Sequence, residues 1–410
     1  MLLPLLIAFS MTVGLALILT PLVIIVAPMV GAMDEPNKRK VHQIPTPRLG
    51  GVAIFFSFFG GLFTLFLVQP DILSSSWIFG KEGIVLMSAL FFVLCLGIWD
   101  DIRSLTSGKK FAVQFVLSVI IHFGGFGVSN VTNVFGAETA IMGFLNFPLT
   151  VLWIVGVTNA LNLIDGLDGL AAGVSTIAAI TIMTISFLQG DSGIAILALL
   201  VAGSLIGFLQ FNFNPAKIFL GDSGSLFLGF LLAVLSVKSS EKSSFGFAYL
   251  VPMLVLGLPI TDTLLSMIRR FIRSFFSDHT RQKNIVMSLK SMFHPDSGHI
   301  HHRLINNGFS HRNSVLFLYI VSVIFGVCAF IIAFSSSLTA FFILVVVGGA
   351  IFLGVHQLKY DEISMVQNMV PVSHYKRSMD RIWVLFKEYN DQSLHLLLKT
   401  NYGQQFGYWI

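Results

Sequence analysis

About eleven apolar stretches, each long enough to cross a hydrocarbon core of roughly 30 Å, constrain this chain more than anything else in it. They lie near residues 2–28, 49–69, 83–99, 111–127, 145–163, 170–189, 193–213, 224–240, 247–268, 314–334 and 339–356. In lipid every backbone polar group must be satisfied within the segment, so runs of this length read as helices. Only 11% of the residues are charged and 55% are hydrophobic, whereas a soluble domain carries about 25% charged residues. The fold class is therefore an all-α polytopic integral membrane protein. Residues 1–356 form its transmembrane domain and 357–410 a polar tail. In that tail Tyr375, Ile382, Trp383, Leu385 and Phe386 alternate with Lys376, Arg377, Arg381 and Lys387, a pattern open to either an interfacial helix or a loosely ordered extension.

Charge fixes an orientation. The chain has 25 Lys and Arg. If the loop holding Lys38, Arg39, Lys40 and Arg48 is cytoplasmic, alternation leaves only Lys81, Lys238 and Lys242 on the other side. The positive-inside rule then places the N-terminus outside and the C-terminus inside. The net charge of +5 is a topology signal and not a nucleic-acid footprint. No Lys or Arg precedes Lys38, so the first stretch reads as a retained helix. Cys95 and Cys328 fall inside predicted spans without metal or disulfide spacing.

The same orientation brings the acidic motifs to one membrane face. Asp100 and Asp101 end the third span in GIWDDIRS; Asp165 and Asp168 lie in NALNLIDGLDGL with Asn162; Asp222 lies in FLGDSGSL. Carboxylates beside hydrocarbon are costly and persist where they face a cavity, a metal or a partner. Two acids at a helix C-terminus also oppose the macrodipole, which points to a bound cation or a proton-transfer role. NLIDGLDGL lacks the alternating acids and terminal Glu of an EF-hand. GDSG is shared with trypsin-like proteases, but between two spans Ser223 reads as a small turn residue rather than a nucleophile. Asp222, flanked by Gly221 and Gly224, is the first choice for a Mg²⁺ ligand, and Phe219 at the mouth of its loop is placed either to stack on a base or to pack.

HPDSGHIHHRL adds His294, His299, His301, His302 and Arg303 in the longest loop of that face. Zinc would ask for further ligands, whereas imidazoles beside a guanidinium suit a diphosphate. Asp262, well inside the ninth stretch, is expected either to pair with an Arg or to support the site.

Taken together, KVHQIPTPRLGG, GIWDDIRS, NALNLIDGLDGL, NPAKIFLGDSGSL and GHIHHRL resemble the polyprenyl-phosphate N-acetylhexosamine-1-phosphate transferase family over about residues 34–312. The branch of bacterial N-acetylglucosamine-1-phosphate transferases, of the WecA and TagO kind, fits best. The muramoyl-pentapeptide branch carries Lys-Gly-Thr-Pro-Thr-Met-Gly-Gly and three consecutive His, where this chain has IPTPRLGG and HIHH.

The resemblance implies transfer of a sugar phosphate from a UDP-N-acetylhexosamine to polyprenyl phosphate, with release of UMP. It implies Mg²⁺, with Mn²⁺ as a substitute, held by Asp222 and Asn162. Asp100 would deprotonate or orient the lipid phosphate, and Asp101 would support the metal. Asn162, Asp165 and Asp168 would line the nucleotide and metal site, Phe219 would stack on uracil, Arg48 would contact substrate, and His299, His301, His302 and Arg303 would hold the diphosphate. Expected partners are the two substrates, the inner-membrane bilayer and, as a homodimer, a second copy of the chain, with no nucleic acid. The alternatives are a muramoyl-pentapeptide transferase and a transporter of polyprenyl-linked sugars. A transporter would place its groups near the midplane rather than at one face.

Overall fold

The computed structural model of the protein describes residues 2–35, 44–74, 76–127, 141–240, 250–277 and 298–357. His294, Lys38, Arg39, Lys40 and residues 358–410 of the tail lie outside the described residues. The elements are α1 (Leu2–Met29), β1 (Met33–Asp34), β2 (Thr46–Pro47), α2 (Gly50–Val68), α3 (Pro70–Ser74), a one-turn helix at Trp77–Phe79, α4 (Lys81–Arg103), α5 (Ser107–Phe123), α6 (Ile141–Ile164), α7 (Leu170–Leu188), α8 (Ser192–Asn212), α9 (Gly221–Ser240), α10 (Leu250–Val255), α11 (Gly257–Ser277), α12 (Ile300–Asn306), α13 (His311–Ala333) and α14 (Ser337–Gln357).

Among the described residues eight helices are long and apolar enough to cross a membrane: α1, α2, α4, α6, α7, α8, α9 and α13. The other three expected stretches are helical but depart from that pattern. The 111–127 run forms the 17-residue α5, beginning earlier at Ser107. The 247–268 run breaks at Leu256 into α10 and α11. Pro259 explains the break, because it has no N–H to give Val255 and its ring crowds that carbonyl. The 339–356 run lies within α14.

By its contacts the chain divides into two compact units, Met1–Ile268 with His294–Gly349, and Arg269–Phe293 with Ala350–Ile410. The second unit contains, among described residues, the end of α11 and the end of α14. The first unit is built around α9, whose Leu226, Phe227, Phe230, Leu231 and Leu235 are all buried. Helices α2, α4, α6 and α7 pack against it, α1 and α7 pack on α8, and α13 packs on α7 and α10. Two glycines permit close approach to α9. A Cβ on Gly97 of α4 would lie 2.4 Å from Ser223 Cα, and one on Gly51 of α2 would lie 2.1 Å from Gly224 N. Both sit against the first turn of α9, so α2 and α4 lie close to it at the end that carries Asp222.

The ends of α4, α6 and α8 and the starts of α5, α7, α9 and α13 gather at this rim. The short antiparallel pair β1–β2 carries the chain to it, with Met33 opposite Pro47. From there Gly50 and Gly51 N–H donate to Phe219 and Leu220 carbonyls at 3.1 and 3.0 Å, and Phe219 N–H donates to Pro47 O at 2.8 Å.

Candidate active site

Sequence reasoning put the acids in loops after the apolar runs; the structure places three of them in helical turns. Asp100 and Asp101 lie in the last turn of α4 and Asp222 in the first turn of α9. A helix N-terminus favours a carboxylate and a C-terminus opposes one, so Asp222 is at ease in its turn while the Asp100–Asp101 pair requires partners.

Asp101 finds them on the backbone. Its Oδ1 accepts Asp222 N–H at 2.8 Å and its Oδ2 accepts Ser223 N–H at 3.0 Å. The side chain thus caps α9 from another helix and satisfies two of the donors that every helix start leaves unpaired. Ser223 lies within α9 and is fully buried, which leaves no place for a serine nucleophile.

Asp100 and Asp222 converge on one cation. Lys110 Nζ lies 2.8 Å from Asp100 Oδ2 and 2.8 Å from Asp222 Oδ2. The remaining oxygen of Asp100 accepts Leu105 N–H. That of Asp222 accepts Asn162 Nδ2 at 2.5 Å, and the same amide nitrogen donates to Ser225 Oγ at 2.8 Å. The turn between α4 and α5, where Ser104 takes a φ of 43°, folds Lys110 back over Asp100. One turn deeper, Asn159 Nδ2 donates to Gln114 Oε1 at 2.6 Å, tying α6 to α5 beneath the cluster.

The turn between α6 and α7 carries Asp165 and Asp168. Asp165 is half-buried at the surface of a dense neighbourhood. Burial pushes its carboxyl up to about 7, the Asp101 and Asp168 charges add to the rise, and Arg48 opposes it. Asp168 holds chain segments together: its Oδ2 accepts Asn214 Nδ2 at 2.9 Å and Ala216 N–H at 3.1 Å, while its own N–H donates to His311 Nε2 at 2.9 Å. Tyr319 Oη donates to Gly169 O at 2.5 Å, so the start of α13 clasps this turn from outside. Arg48 pairs with Asp34 at 3.3 Å. Phe219 is half-buried and its backbone is hydrogen-bonded to Pro47 and Gly50.

The histidine segment closes over the same turn. A Cβ on Gly166 would lie 2.4 Å from His301 Nε2. His299 Nδ1 lies 2.8 Å from Asp262 Oδ2, and Ile300 N–H donates to Asp262 Oδ1 at 2.7 Å. Asp262 thus holds His299 and the start of α12. Of the two expectations for this buried acid, the structure gives it the site loop as partner. The rings of His299 and His301 stack at 5.7 Å and those of His301 and His302 approach to 4.3 Å. Burial drives His301 down to about 3, with the neighbouring histidines adding to the fall and Asp262 opposing it. Burial favours the neutral imidazole, and its buried Nδ1 has no hydrogen-bond partner among the described residues. An incoming phosphate would supply the negative charge that reverses this shift. His302 and Arg303 are half-buried on the same short helix.

Lys110 was not among the residues singled out from the sequence, nor were His311, Tyr319 and Gln114. Lys110 offered one signal, a cation in the first turn of a helix, where the dipole disfavours it.

Among the described residues no three His, Cys, Asp or Glu side chains cluster as a ready metal site. Mg²⁺ does not require that, since it commonly takes one or two carboxylates with substrate phosphates completing its shell. Asp100, Asp222 and Asn162 supply hard oxygen donors, and both carboxylates already turn toward one positive centre. The donor set fits the ion.

An all-α polytopic bundle with carboxylates, an ammonium and imidazoles gathered at one rim defines a membrane protein with a polar site at the lipid boundary. The family described as Glycosyl transferase family 4 matches residues 83–240. The chain is 37% identical over 343 residues, 83% of its length and 89% of the relative's, to a probable undecaprenyl-phosphate N-acetylglucosaminyl 1-phosphate transferase of Bacillus subtilis (strain 168). It is 32% identical over 315 residues, 72% of its length and 74% of the relative's, to the decaprenyl-phosphate N-acetylglucosaminephosphotransferase of Mycobacterium tuberculosis (strain ATCC 25618 / H37Rv). Over 298 residues, 72% of the chain and 74% of the relative, it is 24% identical to the undecaprenyl-phosphate alpha-N-acetylglucosaminyl 1-phosphate transferase of Escherichia coli (strain K12). The chain belongs to the family of polyprenyl-phosphate N-acetylglucosamine-1-phosphate transferases within glycosyl transferase family 4.

Proposed function

We propose that this protein transfers N-acetylglucosamine-1-phosphate from UDP-N-acetylglucosamine to polyprenyl phosphate at the cytoplasmic face of the inner membrane. An oxygen of the lipid phosphate attacks the donor phosphorus that bears the sugar, the bridging P–O bond breaks, and UMP leaves with that oxygen. The observation that carries this reading is the meeting at the 165–168 turn of two groups: Asp165 and Asp168 with Asp101 of α4 beside them, and His301 of α12 against Gly166. Attack of one phosphate anion on another needs charge neutralisation and in-line positioning more than covalent help.

Asp222 and Asn162, with Asp100 beside them, would hold Mg²⁺; when bound, the ion neutralises charge on the diphosphate and its leaving oxygen. The protein's own groups do the rest. His301 offers a ring N–H to a phosphoryl oxygen, Arg303 offers a bidentate fork, and Asp262 keeps the segment in place through His299. Asp101 fixes the start of α9 so that Asp222 points into the site. Arg48 stands near Asp165 on the donor side.

The test is purified protein with polyprenyl phosphate, Mg²⁺ and a panel of UDP-sugars, scored for UMP release. UDP-N-acetylglucosamine should release UMP and excess EDTA should silence it. Turnover of UDP-N-acetylmuramoyl-pentapeptide would reassign the branch. A cysteine at the exposed Ser107 should react only with reagents admitted to the cytoplasmic side; reaction from outside would detach the site from cytoplasmic UDP-sugars.

A further inference from the structure

Lys110 stands where a lysine is least at ease. It lies in the first turn of the 17-residue α5, next to Lys109 and against the helix dipole. What holds it is remote in sequence: Asp100 and Asp222, each 2.8 Å from its Nζ. Leu105 N–H and Asn162 Nδ2 already occupy the other oxygen of each carboxylate. The two acids therefore face each other across a single position, and the ammonium fills it. Without a cation there, the buried Asp100 and the half-buried Asp222 would repel in a medium that screens them poorly.

A divalent cation would satisfy the same two oxygens better than an ammonium does, because it carries twice the charge and approaches oxygen to about 2.1 Å. Ammonium and metal cannot both hold those oxygens at contact distance. A lysine displaced from them would remain at the N-terminal end of α5, where the dipole and the ammonium attract an anion together.

We infer that Lys110 is a resident counter-cation that Asp100 and Asp222 exchange for the divalent cation, and that its released ammonium turns to a phosphoryl oxygen of the substrate diphosphate. This rests on the divalent-cation reading above. It makes loading of the site an exchange of cations: the acids are neutralised before the metal arrives, and the lysine becomes a phosphate ligand only once it has.

The experiment compares wild type, Lys110→Met and Lys110→Gln, each stripped with EDTA and then titrated with Mg²⁺. Thermal unfolding and UMP release are followed at every concentration. In EDTA both variants should unfold several degrees below wild type, and saturating Mg²⁺ should close the gap. With the competing ammonium gone, the half-saturating Mg²⁺ read from the unfolding midpoint should fall about tenfold. UMP release at saturating Mg²⁺ should nevertheless drop by about 10²-fold, through the lost phosphate contact. Lys110→Gln keeps a hydrogen-bond donor between the carboxylates and serves should Lys110→Met not fold. A half-saturating Mg²⁺ that is unchanged or raised in the variants, while wild type still needs Mg²⁺ for UMP release, would overturn the exchange and leave the metal reading standing. If wild type gains no stability from Mg²⁺ and needs none for turnover, the metal reading itself has failed and the exchange with it.

Discussion

The two rims of the bundle handle charge in opposite ways. Helix α4 runs from Glu82 at one rim to Asp101 at the other, and α9 runs back from Asp222 to Lys238. At the rim away from the site, Lys238 Nζ lies 3.2 Å from Glu82 and over the ring of Phe126. Asp191 there caps α8 through Ile194 N–H and takes Trp77 Nε1 at 3.4 Å. Each charge is closed by its neighbour. At the site rim Asp100 and Asp222 share one ammonium, Asp101 is taken by backbone donors, and Asp165 is pushed up to about 7. A closed pair fixes helices to each other. Acids that must share a cation hold binding energy in reserve for a ligand, and that contrast marks which rim does chemistry.

The largest effect expected from this contrast is at Asp222. Asp222→Asn removes the charge but keeps the size, and UMP release should fall by about 10³-fold or more, with helix content retained. Glu82→Gln at the opposite rim should stay within about twofold of wild type, since this pair is remote from the site and its carboxylate is partly open to water. Equal losses in the two variants would erase the distinction between the rims. Next comes His301→Ala, for which turnover should drop by about 10²-fold with a small change in KM, as for a contact strengthened in the transition state. A loss confined to KM would make His301 a ground-state binder.

The acids of the site were legible in the sequence because a carboxylate at the end of an apolar run is conspicuous. Asp100, Asp101, Asp165, Asp168 and Asp222 were all found this way, and the fold brings them to one rim. Their partners were not legible, because each depends on pairing across the bundle. Asp101 caps a helix 121 positions away, and Lys110 reads in sequence as one more positive-inside charge beside Lys109. Asp262 could be seen to need a partner, yet only the return of the chain from α11 to α12 identifies it as His299. The break at Leu256 was also missed, since hydropathy averages over a Pro that the helix ladder cannot.

A smaller effect follows from Asp165. Its carboxyl sits at about 7 in the folded protein against an ordinary 3.8. Between those values the folded state keeps a proton that the unfolded state has lost. Stability should therefore fall as pH rises from about 4 to about 7, by this group's contribution. Asp165→Asn removes the titration, so its unfolding midpoint should vary less over that window than that of wild type. Parallel pH profiles would show that the Asp165 carboxyl does not titrate there.

The smallest effect should come from breaking the closed rim itself. In Lys238→Met the Glu82 carboxylate loses its ion pair, but with 35% of its side chain exposed it regains water and keeps its place in the first turn of α4, where the dipole favours it. Lys238 also gives up its approach to Phe126 and a 3.4 Å contact to Gly125 O, which Met replaces in part by packing. Together these changes should cost no more than about 1 kcal/mol, a shift of a few degrees at most in the unfolding midpoint. Half-saturating Mg²⁺ and UMP release should not move, because a locally closed pair holds nothing in reserve for a ligand. A changed Mg²⁺ requirement in Lys238→Met would mean that the two rims are coupled along α9, and the far rim would then have to be counted as part of the site.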